Sequence, residues 1–147
     1  MNNVEDISYM FYNCKNFNQP LNNWDVGNVE YMGQMFYVAS SFNRDISKWN
    51  VSKVVTMEAM FNGASSFNQD ISGWIVDNVE NMNFMFSGAS SFNQNISDWN
   101  VSNVTAVGMM FNDSGIAHYA IDISNAWSSH LSETVMPHLI SSLNSLQ

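Results

Sequence analysis

Apolar and polar positions along this chain follow one pattern five times over. Valines at 4, 29, 54, 79 and 104 are spaced by 25 residues, and their neighbours fall into register without a gap. Met10-Phe11 recurs as Met35-Phe36, Met60-Phe61, Met85-Phe86 and Met110-Phe111, and Phe17-Asn18 as Phe42-Asn43, Phe67-Asn68 and Phe92-Asn93. Trp24, Trp49, Trp74 and Trp99, each followed by Val26, Val51, Val76 or Val101, complete the unit. Such self-similarity marks a stack of units, none of which could bury its apolar side alone.

Within a unit the texture changes. The first half places apolar residues close to a helical stripe, as in Val79, Met82, Met85, Phe86 and Ala89. Asn28, Asn78 and Asn103 stand just ahead of it, where N-caps belong, with Glu30 or Glu80 in the first turn near the positive end of the dipole. The second half, Ile71-x-x-Trp74-x-Val76, alternates as a half-buried strand does. This pattern predicts an α/β solenoid: a right-handed, leucine-rich-repeat-like coil of about five repeats, each a short helix plus a short parallel strand.

After Phe111 the repeat lapses. Tyr119–Ile123 reads as a terminal strand, and Val135, Leu139, Leu143 and Leu146 recur at helical spacing. Pro137 fits only a first turn, so this helix is expected to start near Thr134. The chain divides into a repeat region, 1–112, and a C-terminal capping segment, 113–147, within a single domain. The capping helix would cover one end of the stack, whereas the opposite end, at Met1, is expected to be open.

Composition narrows the function classes. The 147 residues carry 13 acids against four Lys and Arg, a formal charge of −9. Four scattered bases cannot lay a basic stripe, which excludes nucleic acid as a partner. No apolar run is long enough for membrane insertion. Cys14 is the single cysteine, so neither a disulfide framework nor a Cys-based zinc site is available. It replaces the Ala seen at 39, 64 and 89, and is expected to be buried and inert. The start, Met-Asn-Asn-Val-Glu-Asp, has neither a basic region nor an apolar core, so a signal peptide is not expected; nor is an anchor.

The segments MFSGASSFNQNISDWNVSNV and MFNGASSFNQDISGWIVDNV resemble the 25–26-residue repeat of the BspA-like leucine-rich repeat surface proteins. The resemblance spans about residues 4–112 of the chain. It implies a solenoid, a cell-surface or secreted setting, and binding or adhesion rather than chemistry.

In such a stack the residues flanking Trp-x-Val form a concave sheet face. They are Asn23, Asp25 and Gly27; Lys48, Asn50 and Ser52; Gly73, Ile75 and Asp77; Asp98, Asn100 and Ser102. They vary from unit to unit while their neighbours hardly change, as a recognition surface for a protein or glycan would. A second column, Pro20, Asp45, Asp70 and Asn95, would bring two carboxylates roughly 5 Å apart. That arrangement admits three readings: turn hydrogen bonds, a hard cation such as calcium held with Asn95, or the acid pair of a retaining glycoside hydrolase. The turn role is the leading one, and no cofactor is otherwise expected. The Asn18, Asn43, Asn68 and Asn93 column reads as a structural amide ladder, and the Met columns read as core filler. His118, His130 and His138 lack a metal-ligand spacing, and no Ser-His-Asp pattern, P-loop or dinucleotide fingerprint occurs. The leading expectation is a non-catalytic recognition or adhesion module. The alternative is a spacer or assembly element that self-associates through its open N-terminal end.

Overall fold

The computed structural model describes residues 3–146; Met1, Asn2 and Gln147 lie outside the described residues, and with them the chain end at Met1 that was expected to be open. Among the described residues the repeats hold neither helix nor strand. This overturns the α/β solenoid. The units do stack, but through a train of turns.

The backbone amides show why. In the second unit Met32, Gln34, Phe36 and Val38 donate to the carbonyls of Thr56, Glu58, Met60 and Asn62 in the third. The intervening amides of Met35, Tyr37 and Ala39 close tight turns onto Met32, Gln34 and Phe36. Alternate amides thus serve the next unit and the local turns, and none is left for the i→i−4 bond of an α-helix. Left-handed residues at every fourth position enforce this: φ is +56° at Gln34 and +54° at Val38. Their counterparts in the next two units are Ala59 with Gly63, and Phe84 with Gly88, all at positive φ. A succession of such turns returns apolar side chains inward every three or four residues, which is the spacing that imitates a helix.

Parallel contact between units is confined to single bridges, Asp6 to Tyr31, Tyr31 to Thr56, Thr56 to Asn81 and Asn81 to Ala106. They lie in the half expected to be helical, not at Trp-x-Val. The tryptophans have a different task. Trp49, Trp74 and Trp99 each donate their indole N–H to the carbonyl of Leu21, Ile46 or Ile71 in the unit before, at 3.0–3.1 Å. Consecutive rings stack at 6.5 Å between centroids. Columns of Phe36, Phe61, Phe86 and Phe111, and of Phe42, Phe67 and Phe92, run alongside in one core that also takes in the valine and methionine columns.

The C-terminal segment is helical throughout its ordered elements. A 3-10 turn at Ile116–Tyr119 leads into α1, Ala120–Trp127, so the terminal strand expected over Tyr119–Ile123 is a helix instead. Its inward side chains, Ile123 and Trp127, are four residues apart, a helical and not a strand period. Helix α2, Met136–Asn144, starts two residues beyond the expected Thr134 and carries Pro137 in its first turn. Trp127 stacks on Trp99 at 6.5 Å, continuing the tryptophan column. Among the described residues no helix is long and apolar enough to cross a membrane.

Candidate functional site

An open groove of about 680 Å³ runs along four consecutive units. Glu30, Lys53, Val55, Asn78, Glu80, Ser102, Asn103 and Thr105 line it. These residues come from two adjacent columns and one neighbour. One column is Asn28, Lys53, Asn78 and Asn103; the other is Glu30, Val55, Glu80 and Thr105. The second column is fixed by its backbone, since Val55, Glu80 and Thr105 each donate an amide to the residue 25 places earlier at 2.8–2.9 Å. The first is fixed by its side chains. Lys53 Nζ donates to Asn28 Oδ1 at 2.9 Å, Asn78 Nδ2 to the Ser52 carbonyl at 2.7 Å, and Asn103 Nδ2 to the Asp77 carbonyl at 2.6 Å.

The asparagines expected to cap helices therefore have no helix to cap. Asn78 and Asn103 tie their units to the ones before through their amide nitrogens, which leaves the side-chain carbonyl as the remaining acceptor, whereas Asn28 accepts Lys53 of the next unit. Lys53 supplies the groove's positive charge, between the Glu30 and Glu80 carboxylates of the units on either side. The lining is otherwise amide and hydroxyl, with Val55 as its apolar member. Such a surface offers both donors and acceptors to a polar ligand, at a spacing set by the repeat.

Of the stripe named from sequence, Ser102 alone lines this groove. Asn23, Asp25, Lys48, Asn50, Ile75, Asp77, Asp98 and Asn100 are exposed and Ser52 half-buried, but there is no sheet face for them to share. Three of them hold turns. Asp25 Oδ1 accepts the Gly27 amide, Asn50 Oδ1 the Ser52 amide and Asn100 Oδ1 the Ser102 amide, at 3.0–3.2 Å. Ile75 stands in the same column without that acceptor and is 58% exposed. The groove lies one column further on. Its signal was present in the change from Glu30 to Val55 and from Asn28 to Lys53, hidden by the assignment of those columns to helix starts.

The Asp45, Asp70 and Asn95 column also makes turns. Their Oδ1 atoms accept the amides of Ser47, Ser72 and Ser97 at 2.9–3.0 Å, and Ser72 Oγ adds a bond to Asp70 at 2.6 Å. The Ser47 and Ser72 hydroxyls, then their amides, hold both carboxyls below the ordinary carboxylate value. A glycosidase acid needs the opposite shift. No group of three or more His, Cys, Asp and Glu side chains converges as metal ligands among the described residues. The Asn ladder is direct: Asn18, Asn43 and Asn68 Oδ1 accept the amides of Asn43, Asn68 and Asn93, each at 2.9 Å.

Two further residues depart from expectation. Cys14 is exposed, unlike Ala39, Ala64 and Ala89 of its column, each buried beneath the unit before it among the described residues. His130 reaches from beyond α1 to the end of the groove, its Nδ1 2.8 Å from Ser102 Oγ. The Ser102 hydroxyl donates to Asn100 Oδ1 at 2.6 Å, which leaves His130 as the donor in that contact. A serine so engaged is held, not activated.

These features define a class: a tandem-repeat protein of stacked, turn-built units with a polar groove along one side. The chain belongs to the family described as "Mycoplasma protein of unknown function, DUF285", whose model matches residues 1–76. No curated protein and no solved structure matches it.

Proposed function

We propose that the chain is a non-catalytic recognition module that holds a protein or glycan in the groove lined by Lys53, Asn78, Glu80, Asn103 and Thr105. One observation carries this reading. The groove columns depart from their Asn and Glu pattern at Lys53, Val55 and Thr105, while the Val, Met, Phe and Trp columns behind them repeat. Accessible side chains that differ between units, held on a regular frame, supply the variety a ligand-reading surface needs. Membership of a repeat family supports the reading in general terms. The closer likeness of these units to the BspA-like repeat adds the proposal of a cell-surface or secreted setting.

The test is a binding screen of the full chain against matrix proteins and a glycan array, with and without calcium. Two variants accompany it: Lys53→Ala with Glu80→Ala and Thr105→Ala, and Asn50→Ala with Ile75→Ala and Asn100→Ala. A ligand lost in the first variant and kept in the second, both folded, places binding in the groove. Loss in the second alone moves the site to the neighbouring stripe. No ligand in the screen, with an intact fold, counts against recognition.

A further inference from the structure

The two ends of the stack are chemically different. At the C-terminal end every column of the core closes: Val101, Val104, Val107, Met110 and Phe111 are at most 3% exposed. Trp127 covers the rings of Trp99 and Phe111, and Ser142 Oγ accepts the Phe111 amide at 2.7 Å. At the N-terminal end the same columns stand open. Met10 is 42% exposed, whereas Met35, Met60, Met85 and Met110 in its column are at 0%. Val4, Phe11, Phe17 and Trp24 are half-buried, and Tyr9 and Tyr12 are exposed beside them.

The open face also has a fixed hydrogen-bond pattern. In later units the carbonyls of Tyr31, Gly33, Met35 and Tyr37 accept the alternate amides of the unit before. Their counterparts in the first unit are the carbonyls of Asp6, Ser8, Met10 and Tyr12. Of these, Tyr12 receives the Cys14 thiol at 3.7 Å, and among the described residues no backbone amide reaches any of the four. By the same register, the Glu5 amide, the Asn18 amide and the Trp24 indole N–H are the donors that would point to a preceding unit.

We propose that this end is a docking face for one more unit of the same repeat, presented with its amide edge forward. Four acceptors at alternate residues, with three donors elsewhere on the face, are the complement of the junction that this chain already forms between its own units. Two copies of the chain brought together end to end would oppose carbonyls to carbonyls along residues 6–12, or to the widely spaced donors at Asn18 and Trp24. On the face of a second copy that does carry the amide edge, Trp127 of α1 lies against Phe111 and Ser142 of α2 already takes the Phe111 amide. The inference rests on the stack and not on the groove, so the two stand or fall separately.

The experiment joins a second copy of residues 29–53 directly ahead of Val4 in the full chain, which keeps the 25-residue register. The added Met, Gln, Phe and Val amides equivalent to positions 32, 34, 36 and 38 are expected to exchange with solvent as slowly as those of the second unit. The thermal midpoint should rise, and the Met10 methyl should lose its exposure to a soluble paramagnetic probe. A control extension one residue shorter, out of register, should gain none of these. Free exchange in the in-register extension, with an unchanged midpoint, would overturn the proposal. So would concentration-dependent dimers of the unextended chain in sedimentation that the extension abolishes, because the natural occupant would then be a second copy.

Discussion

The Ser142 hydroxyl accepts the Phe111 amide at 2.7 Å, standing where a next unit would offer its methionine carbonyl. Phe11, Phe36, Phe61 and Phe86 all send this amide to a methionine carbonyl, at Met35, Met60, Met85 and Met110. One side chain on α2 thus supplies the acceptor that the repeat would otherwise need. The same hydroxyl donates to Asn112 Oδ1 at 2.8 Å, so both of its roles are engaged.

Ser142→Ala therefore leaves a buried amide without a partner. The expected loss is about 1–3 kcal/mol of stability, read by urea denaturation. Ser141→Ala, at the exposed neighbour, is the control. Equal losses in the two variants would show that the bond carries nothing.

The tryptophan column provides a second comparison. Trp74 donates to the Ile46 carbonyl, whereas the Trp127 indole N–H is buried with no partner. Phenylalanine at either site gives up ring volume, but only Trp74→Phe removes a hydrogen bond between units; the Ile46 carbonyl then keeps the Trp49 amide alone, at 3.2 Å. Trp74→Phe should be the more destabilising by about 0.5–1.5 kcal/mol in denaturant titrations. Identical midpoints would mean that the indole bond is unimportant.

Backbone handedness makes a third. Gly63 and Gly88 hold φ of +73° and +74°, and Val38 holds +54° in the same column as Asn13 at +59°. A Cβ at position 88 would meet the Gly63 amide nitrogen at 3.3 Å. Gly88→Ala should destabilise by about 1 kcal/mol, and Val38→Asn should stabilise by up to about 1 kcal/mol, because Asn tolerates this region better than a β-branched residue. Thermal melts decide the matter, and a lower midpoint for Val38→Asn would refute it.

Acid should act through the turns of the Asp45 and Asp70 column. Both carboxyls lie below their ordinary value of 3.8 in the folded chain, owing first to the Ser47 and Ser72 hydroxyls. A depressed folded value means that the stabilisation is complete above the unfolded value and is lost as pH falls through the folded one. Asp70→Asn keeps the Oδ1 acceptor, as Asn95 does for Ser97, but cannot titrate. Its midpoint should fall less steeply than that of the parent below pH ~4, when melts are recorded across that range. Parallel curves would remove the effect.

Much of this architecture is legible in the chain. The 25-residue register locates every buried column, because burial depends on which side chains recur. Whether the Val29, Met32, Met35, Phe36 run is a helix is not legible, because a train of turns returns side chains inward at nearly the same interval. The choice lies in the sign of φ at Gln34 and Val38, and those side chains do not announce it; Gly63 and Gly88 do. The groove is hidden in the sequence because Asn78 and Glu80 imitate a helix start and mask the departures at Lys53 and Val55 in the same columns. Trp127 was missed for another reason: it comes 28 residues after Trp99, and α1 makes up the difference. Ser142 carries no sequence signal, since its role exists only once α2 lies over Phe111.

Shared amides have a consequence for how such a chain can change in length. Each unit lends alternate N–H groups forward and receives the same set from behind, so every internal junction is interchangeable with every other. A block of 25 residues can be removed or duplicated and the cut surfaces will close on each other, whereas a block of any other size breaks the ladder. Length then varies in whole steps, and the groove lengthens with it, adding one pair of side chains at each step. A gene of this kind alters its reach as a ruler does, by counting divisions, and alters what it reads by changing the marks.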